Sequence, residues 1–128
     1  MTIVPHPTIS YVEDDDLVRN AVAELLRSAG FEVETFLTAE DFLQHGKPER
    51  ASCLIIDVNL PGLSGLELQG HLIRSAYQIP TIFLTSNSEE QIRTKALNAG
   101  AVCFLNKPVR RNEFLSCVRK ALTLSSTE

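Results

Sequence analysis

Five times in succession a short apolar run gives way to a segment with helical spacing. The runs are Ile9-Ser10-Tyr11-Val12, residues 31–36, Cys53-Leu54-Ile55-Ile56, Thr81-Ile82-Phe83-Leu84 and residues 101–105. Short apolar runs bounded by turn signals read as strands. In the second, Phe31, Val33 and Thr35 alternate with Glu32 and Glu34. Between the runs, apolar residues recur every three or four positions. Leu17, Val18, Ala21, Val22, Leu25 and Leu26 form the clearest stripe, which Gly30 stops. Ala39, Phe42 and Leu43 make a short second helix that ends near Gly46 and Pro48, and Leu66, Leu68, Leu72 and Ile73 mark a third. The fourth carries only Ile92, Ala96, Leu97 and Ala99 before Gly100, and the fifth carries Phe114, Leu115, Val118, Ala121 and Leu122. Helix starts are signalled by Thr38 with Asp41, Ser64 with Glu67 and Ser88 with Gln91, each spaced as a capping box.

Strand and helix that alternate in this way predict a parallel sheet with helices on both faces, joined by right-handed crossovers. The fourth helix has so small an apolar face that it is expected to be loosely held.

The chain has 128 residues, enough for one domain with a single sizeable core. The expected division is a tail over residues 1–8, a domain over residues 9–124, and a second tail or the start of a linker over residues 125–128. A formal net charge of -4 argues against non-specific binding to nucleic acid. No apolar run approaches the length of a membrane span, and the N-terminus lacks a signal-peptide core. The expected location is the cytoplasm. Cys53, Cys103 and Cys117, odd in number and without short ligand spacing, read as free thiols. His6, His45 and His71 are scattered and read as surface residues.

In open α/β sheets, ligands sit beyond the carboxyl ends of the strands. That edge collects Glu13 and Asp14 after the first strand, Asp57 after the third, Thr85 after the fourth and Lys107 after the fifth. Crowded carboxylates repel unless a cation lies between them. Oxygen-only ligands suit Mg²⁺, which keeps positions open for water and phosphate. Lys107 is a compact cation suited to a phosphate oxygen, and Thr85 offers a hydroxyl. A carboxylate can itself act as nucleophile and form an acyl phosphate. Each residue also has a plainer reading. Asp57 alone starts a turn, acids before a helix complement its dipole, Thr85 caps a strand end, and Lys107 is a solvated charge in a Lys-Pro loop. Their coincidence at four strand ends favours the shared site.

On these residues the chain resembles the receiver domain of two-component response regulators, the CheY-like family. The motifs YVEDD, LIIDVNLPGLSG, IFLTS and FLNKP carry the resemblance, which covers residues 9–122. It implies a flavodoxin-like three-layer sandwich with a five-stranded parallel sheet of order 2-1-3-4-5 and five helices. It implies that Asp57 accepts a phosphoryl group from a histidine kinase or phosphotransfer protein. Glu13, Asp14, Asp57 and the backbone carbonyl of Asn59 would hold Mg²⁺, and Lys107 would pair with the phosphoryl group. Thr85 and Phe104 would be switch residues, and the Lys107-Pro108 bond would be cis. The face of the fourth helix, fifth strand and fifth helix would signal to an output domain or effector, with a homodimer on phosphorylation as one outcome. Direct contact with nucleic acid or membrane is not implied for this segment.

In that register Asp15 and Asp16 fall in the first turn of the helix as dipole partners. Phe104 stands where the family often has tyrosine, which excludes a switch built on a phenolic hydroxyl. Asn59 and Asn87 would flank the phosphoryl group and leave its lifetime open. The stretches TFLTAEDFL and GAVCFLNKPVRRNEFLSCV are most similar to the FixJ-like receivers that precede a LuxR-type DNA-binding domain. Whether the chain is a single-domain regulator or a fragment of a DNA-binding one is open.

The resemblance implies a phosphoacceptor switch whose own chemistry is limited to slow self-phosphorylation and dephosphorylation. The alternatives are a Mg²⁺-dependent aspartyl-phosphate hydrolase, a flavodoxin-like cofactor binder and a pseudo-receiver that works unphosphorylated. The hydrolase wants a second acid at position 59 and a cap, and the cofactor binder wants a small-residue phosphate loop in place of the acids.

Overall fold

The computed structural model describes residues 7–86 and 89–125. The strands are β1 (Thr8–Val12), β2 (Glu32–Phe36), β3 (Ala51–Asp57), β4 (Thr81–Thr85) and β5 (Cys103–Asn106). The helices are α1 (Asp16–Ser28), α2 (Ala39–His45), α3 (Gly65–Arg74), α4 (Glu90–Asn98) and α5 (Arg111–Ser125), with a 3-10 turn at Pro48–Arg50. All strand pairs are parallel and the order is β2-β1-β3-β4-β5. This is the flavodoxin-like sandwich that the alternation and the resemblance predict.

Strand side chains alternate between the two faces, so each central strand feeds two cores. Val12, Leu54, Ile56, Phe83 and Phe104 pack with Ala39 and Phe42 of α2, Leu68 and Leu72 of α3, and Ala96 of α4. Ile9, Tyr11, Cys53, Ile55, Ile82 and Leu84 pack with Val22 and Leu26 of α1 and with Phe114, Leu115, Val118 and Ala121 of α5. Each fully buried aliphatic side chain contributes about 1.5–3 kcal/mol of transfer free energy, which is why β3, buried from Cys53 to Asp57, anchors the molecule.

Several expectations are corrected in detail. Leu17 and Ile73, assigned to apolar stripes, are 83% and 52% exposed. Gln69, which falls one turn before Leu72, is buried on α3 instead. The fifth strand starts at Cys103 and not at position 101. Gly100 takes φ +105°, and Ala101 N–H returns to the Ala96 carbonyl, so these residues still belong to the helix stop. The Ser64–Glu67 box makes both of its bonds, and Thr38 accepts from Asp41 N–H at 3.0 Å. At α4 the N-cap position belongs to Glu89, without a side-chain cap bond among the described residues. Ser88, Asn87 and His6 lie outside the described residues, as do most of both expected tails. His45 and His71 are exposed. All three cysteines are free thiols, and burial pushes the Cys53 thiol up to about 12. No helix among the described residues is long and apolar enough to cross a membrane.

Candidate functional site

The parallel register assembles the site. Val12 pairs with Ile56, Asp57 with Leu84, and Thr85 with Asn106. Residues one step beyond these pairs therefore meet at the carboxyl edge. Glu13, Asp14 and Asp57 each offer a carboxylate oxygen, and the three atoms lie within 4.8 Å of one another. Glu13 and Asp57 are buried and Asp14 is exposed. The next acids have other duties. Asp15 caps α1 by accepting from Val18 N–H at 3.1 Å, and Asp16 pairs with Arg19 at 2.6 Å.

One cation reaches into the cluster. Lys107 Nζ lies 2.7 Å from Glu13 Oε1 and 3.3 Å from Asp57 Oδ2. The Lys107-Pro108 bond is cis, and Lys107 N–H donates to the Thr85 carbonyl at 2.7 Å. Burial acts against the charge on Lys107, but the bond to Glu13 and the field of Asp57 outweigh it and raise its pKa. Glu13 is pushed up to about 7, chiefly by burial, with Asp57 adding to the shift and Lys107 opposing it.

Tyr11 was legible only as a strand residue, yet it belongs to the site. Its hydroxyl donates to Glu13 Oε1 at 3.3 Å, because residues two apart on a strand share a face. A phenol in an otherwise apolar run, two positions before an acid, was the available signal. Asp15 N–H donates to the other oxygen, Oε2, at 3.3 Å. Arg19 Nη1 donates to the Glu13 carbonyl at 3.1 Å. Burial, and then the neighbouring Glu13 charge, raise the Tyr11 pKa well above the ordinary phenol value.

The loop after β3 approaches Asp57 closely. Asn59 N–H donates to Asp57 Oδ1 at 3.2 Å. A Cβ at Gly65 would lie 2.7 Å from the Asp57 carbonyl oxygen, so glycine is what lets α3 begin against the end of β3. Glu40 of α2 reaches the same loop and accepts from Leu63 N–H at 3.0 Å. Nothing in the local sequence around Glu40 signals that reach.

Thr85 is buried at the end of β4. Phe104 is buried as well, its ring 6.3 Å from that of Phe83 on the α4 side of the sheet. Of α4 itself only Ala96 is buried, and the Gln69 side-chain amide donates to the Ala96 carbonyl at 3.1 Å. The arrangement is chemically specific: hard oxygen donors, one ammonium and a buried carboxylate at a strand end suit a divalent ion and a transferring phosphoryl group.

Comparison with known proteins places the fold. The profile of the response regulator receiver domain matches residues 9–119. Nodulation protein W of Bradyrhizobium diazoefficiens is 45% identical over 107 residues, which are 84% of this chain and 47% of that protein. Response regulator protein TodT of Pseudomonas putida is 40% identical over 117 residues, 91% of this chain and 52% of TodT. Transcriptional regulatory protein FixJ of Azorhizobium caulinodans is 33% identical over 120 residues, 94% of this chain and 57% of FixJ. The chain thus spans about half the length of the curated relatives it matches. Among solved structures, response regulator StyR superposes with a TM-score of 0.89 at 42% identity, covering 95% of this chain and 62% of StyR. FixJ-N superposes with a TM-score of 0.84 at 30% identity, covering 94% and 96%. With the sheet order, the acid cluster and the lysine in place, this chain belongs to the response regulator receiver domain family of two-component systems.

Proposed function

We propose that this receiver is a phosphorylation switch whose acceptor is Asp57. The observation that supports it best is the placement of that carboxylate, buried at the end of β3, 3.3 Å from the Lys107 ammonium and beside Glu13 and Asp14. One Asp57 oxygen attacks phosphorus, the bond from phosphorus to the donor nitrogen of a histidine kinase or phosphotransfer protein breaks, and an acyl phosphate forms. Lys107 then takes a phosphoryl oxygen, and Thr85 offers its hydroxyl.

The donor set fits Mg²⁺, since it is all oxygen, anionic and partly open to water. Glu13, Asp14, Asp57 and the Asn59 backbone carbonyl would hold it. When bound, Mg²⁺ supplies positive charge to the oxygens of the transferring group. Thr85 and Phe104 lie on the α4 side of the sheet, so a phosphoryl contact there biases the thinly packed α4 and the face it forms with β5 and α5. That face would address an output domain or effector in transcription regulation, or a second copy of the receiver. The chain is not an enzyme with turnover of a small substrate, and its place is the cytoplasm.

The test is intact mass after incubation with Mg²⁺ and acetyl phosphate, with Asp57→Asn alongside. One added phosphoryl group that needs the metal and is lost in the variant is expected. Label persisting in Asp57→Asn would move the acceptor elsewhere. No label on folded wild type would leave a pseudo-receiver.

A further inference from the structure

Glu40 stands in the first turn of α2, a different layer element from the loop that follows the acceptor. Its Oε2 accepts from Leu63 N–H at 3.0 Å. The same oxygen lies 2.6 Å from where a Cβ at Gly62 would stand, and Gly62 holds φ +70°. The turn over residues 61–63 is therefore folded onto this carboxylate, in a backbone shape that favours glycine. At its other end the segment is tied to the acceptor itself, through Asn59 N–H and Asp57 Oδ1 at 3.2 Å. Beyond the turn, Ser64 caps α3. Pro61 and Gly62 between these ties are exposed, while Leu60 and Leu63 pack against the core, so packing anchors the flanks of the turn and not its tip.

We propose that Glu40 is a positioning residue for the acceptor loop. Its carboxylate braces residues 59–63 from α2 and so presents the Asn59 backbone to the cation beside Asp57. This rests on the Mg²⁺ reading above. It adds to that site a residue remote from it in sequence, acting through the loop and not by contact with the ion. Groups that orient metal ligands from outside typically change affinity tenfold or more when removed. Glu40 also carries charge, and a plain field effect on the cation is the competing account. A glutamine separates the two, because it keeps a carbonyl acceptor and loses the charge.

The experiment titrates MgCl₂ by calorimetry into the whole chain as wild type, Glu40→Ala and Glu40→Gln, and follows amide exchange at Leu63. Glu40→Ala is expected to weaken Mg²⁺ binding roughly tenfold and to speed exchange at Leu63. Glu40→Gln should stay near wild type in both. Gly62→Ala, which pushes a methyl group into the same carboxylate, should resemble Glu40→Ala. Wild-type affinity in Glu40→Ala overturns the proposal, as does a loss in Glu40→Gln equal to that in Glu40→Ala. If wild type itself binds no Mg²⁺, the functional reading fails, and exchange at Leu63 alone decides the brace: faster in Glu40→Ala supports it, unchanged overturns it.

Discussion

Lys107 Nζ lies 2.7 Å from Glu13 Oε1 and so joins the residue after β5 to the residue after β1, across the two strands between them. Removing one partner of a buried ion pair leaves the other charge uncompensated, a cost of about 3–5 kcal/mol when no relief exists. Here relief exists, because Glu13 can take up a proton. Lys107→Ala is therefore expected to lose about 2–3 kcal/mol at pH 8 and clearly less at pH 6. Urea denaturation at the two pH values measures this. Equal losses would show that the ammonium does not stabilise ionised Glu13.

Folded Glu13 holds its proton up to about pH 7, against an ordinary value of 4.5. Between those values the folded state binds more protons than the unfolded one, so stability must fall as pH rises through the window. Lys107 adds no slope there, since its pKa is raised from 10.5. Thermal unfolding from pH 5 to 8 without metal should show a declining midpoint, and Glu13→Gln should flatten it. Added Mg²⁺ competes with the proton and should raise the midpoint more at pH 8 than at pH 6. A midpoint that rises across the window in wild type would contradict the burial argument.

Tyr11, itself fully buried on β1, donates to Glu13. Tyr11→Phe keeps the ring and removes the donor, at an expected cost of about 1 kcal/mol. The declining limb of the stability profile should also move to higher pH, because ionised Glu13 loses a hydrogen bond. A variant with an unshifted profile would make the contact incidental.

Helix α4 buries one residue fully, Ala96, packs Ile92 and Leu97 partly against the core, and receives the Gln69 amide on the Ala96 carbonyl. That carbonyl also accepts from Ala101 N–H at 3.0 Å, so it keeps a partner when the amide is removed. Gln69→Leu should cost about 1 kcal/mol and speed hydrogen exchange selectively in α4. In wild type, α4 amides should already exchange faster than those of α1. Exchange that rises evenly over the whole domain would point to a general packing defect.

The fold was readable because two periodicities alternate and each carries its own physics. The strand runs needed no side-chain detail, and the acids and lysine fell at strand ends by counting alone. The misplacements have local causes. Leu17 and Ile73 satisfy a helical stripe in sequence, but their neighbours Val18 and Leu72 take the inward positions of those turns, and Gln69 takes an inner position where α4 offers it a carbonyl. Position 101 looked like strand because it is small and apolar, yet Gly100 bends the chain so that Ala101 still serves the helix. Tyr11 could have been found from the two-residue period. Glu40 could not, since its partner depends on how α2 and the β3–α3 loop meet in space.

Three carboxylates cluster at the sheet edge, and one ammonium pairs with two of them. With all of them ionised, two negative charges remain, the amount that one divalent ion cancels. A phosphoryl group on the proposed acceptor, Asp57, would replace a single charge by about two at neutral pH. A loaded, phosphorylated site would then be left about one charge short of neutrality. That excess charge could be hydrogen-bonded by turning a hydroxyl inward, but only a cation brought by another molecule would cancel it. A partner that brought such a cation would bind the phosphorylated form more tightly, and by linkage it would favour that form at equilibrium. The lysine would then set the charge stoichiometry that ties the population of the signalling form to the presence of its recipient.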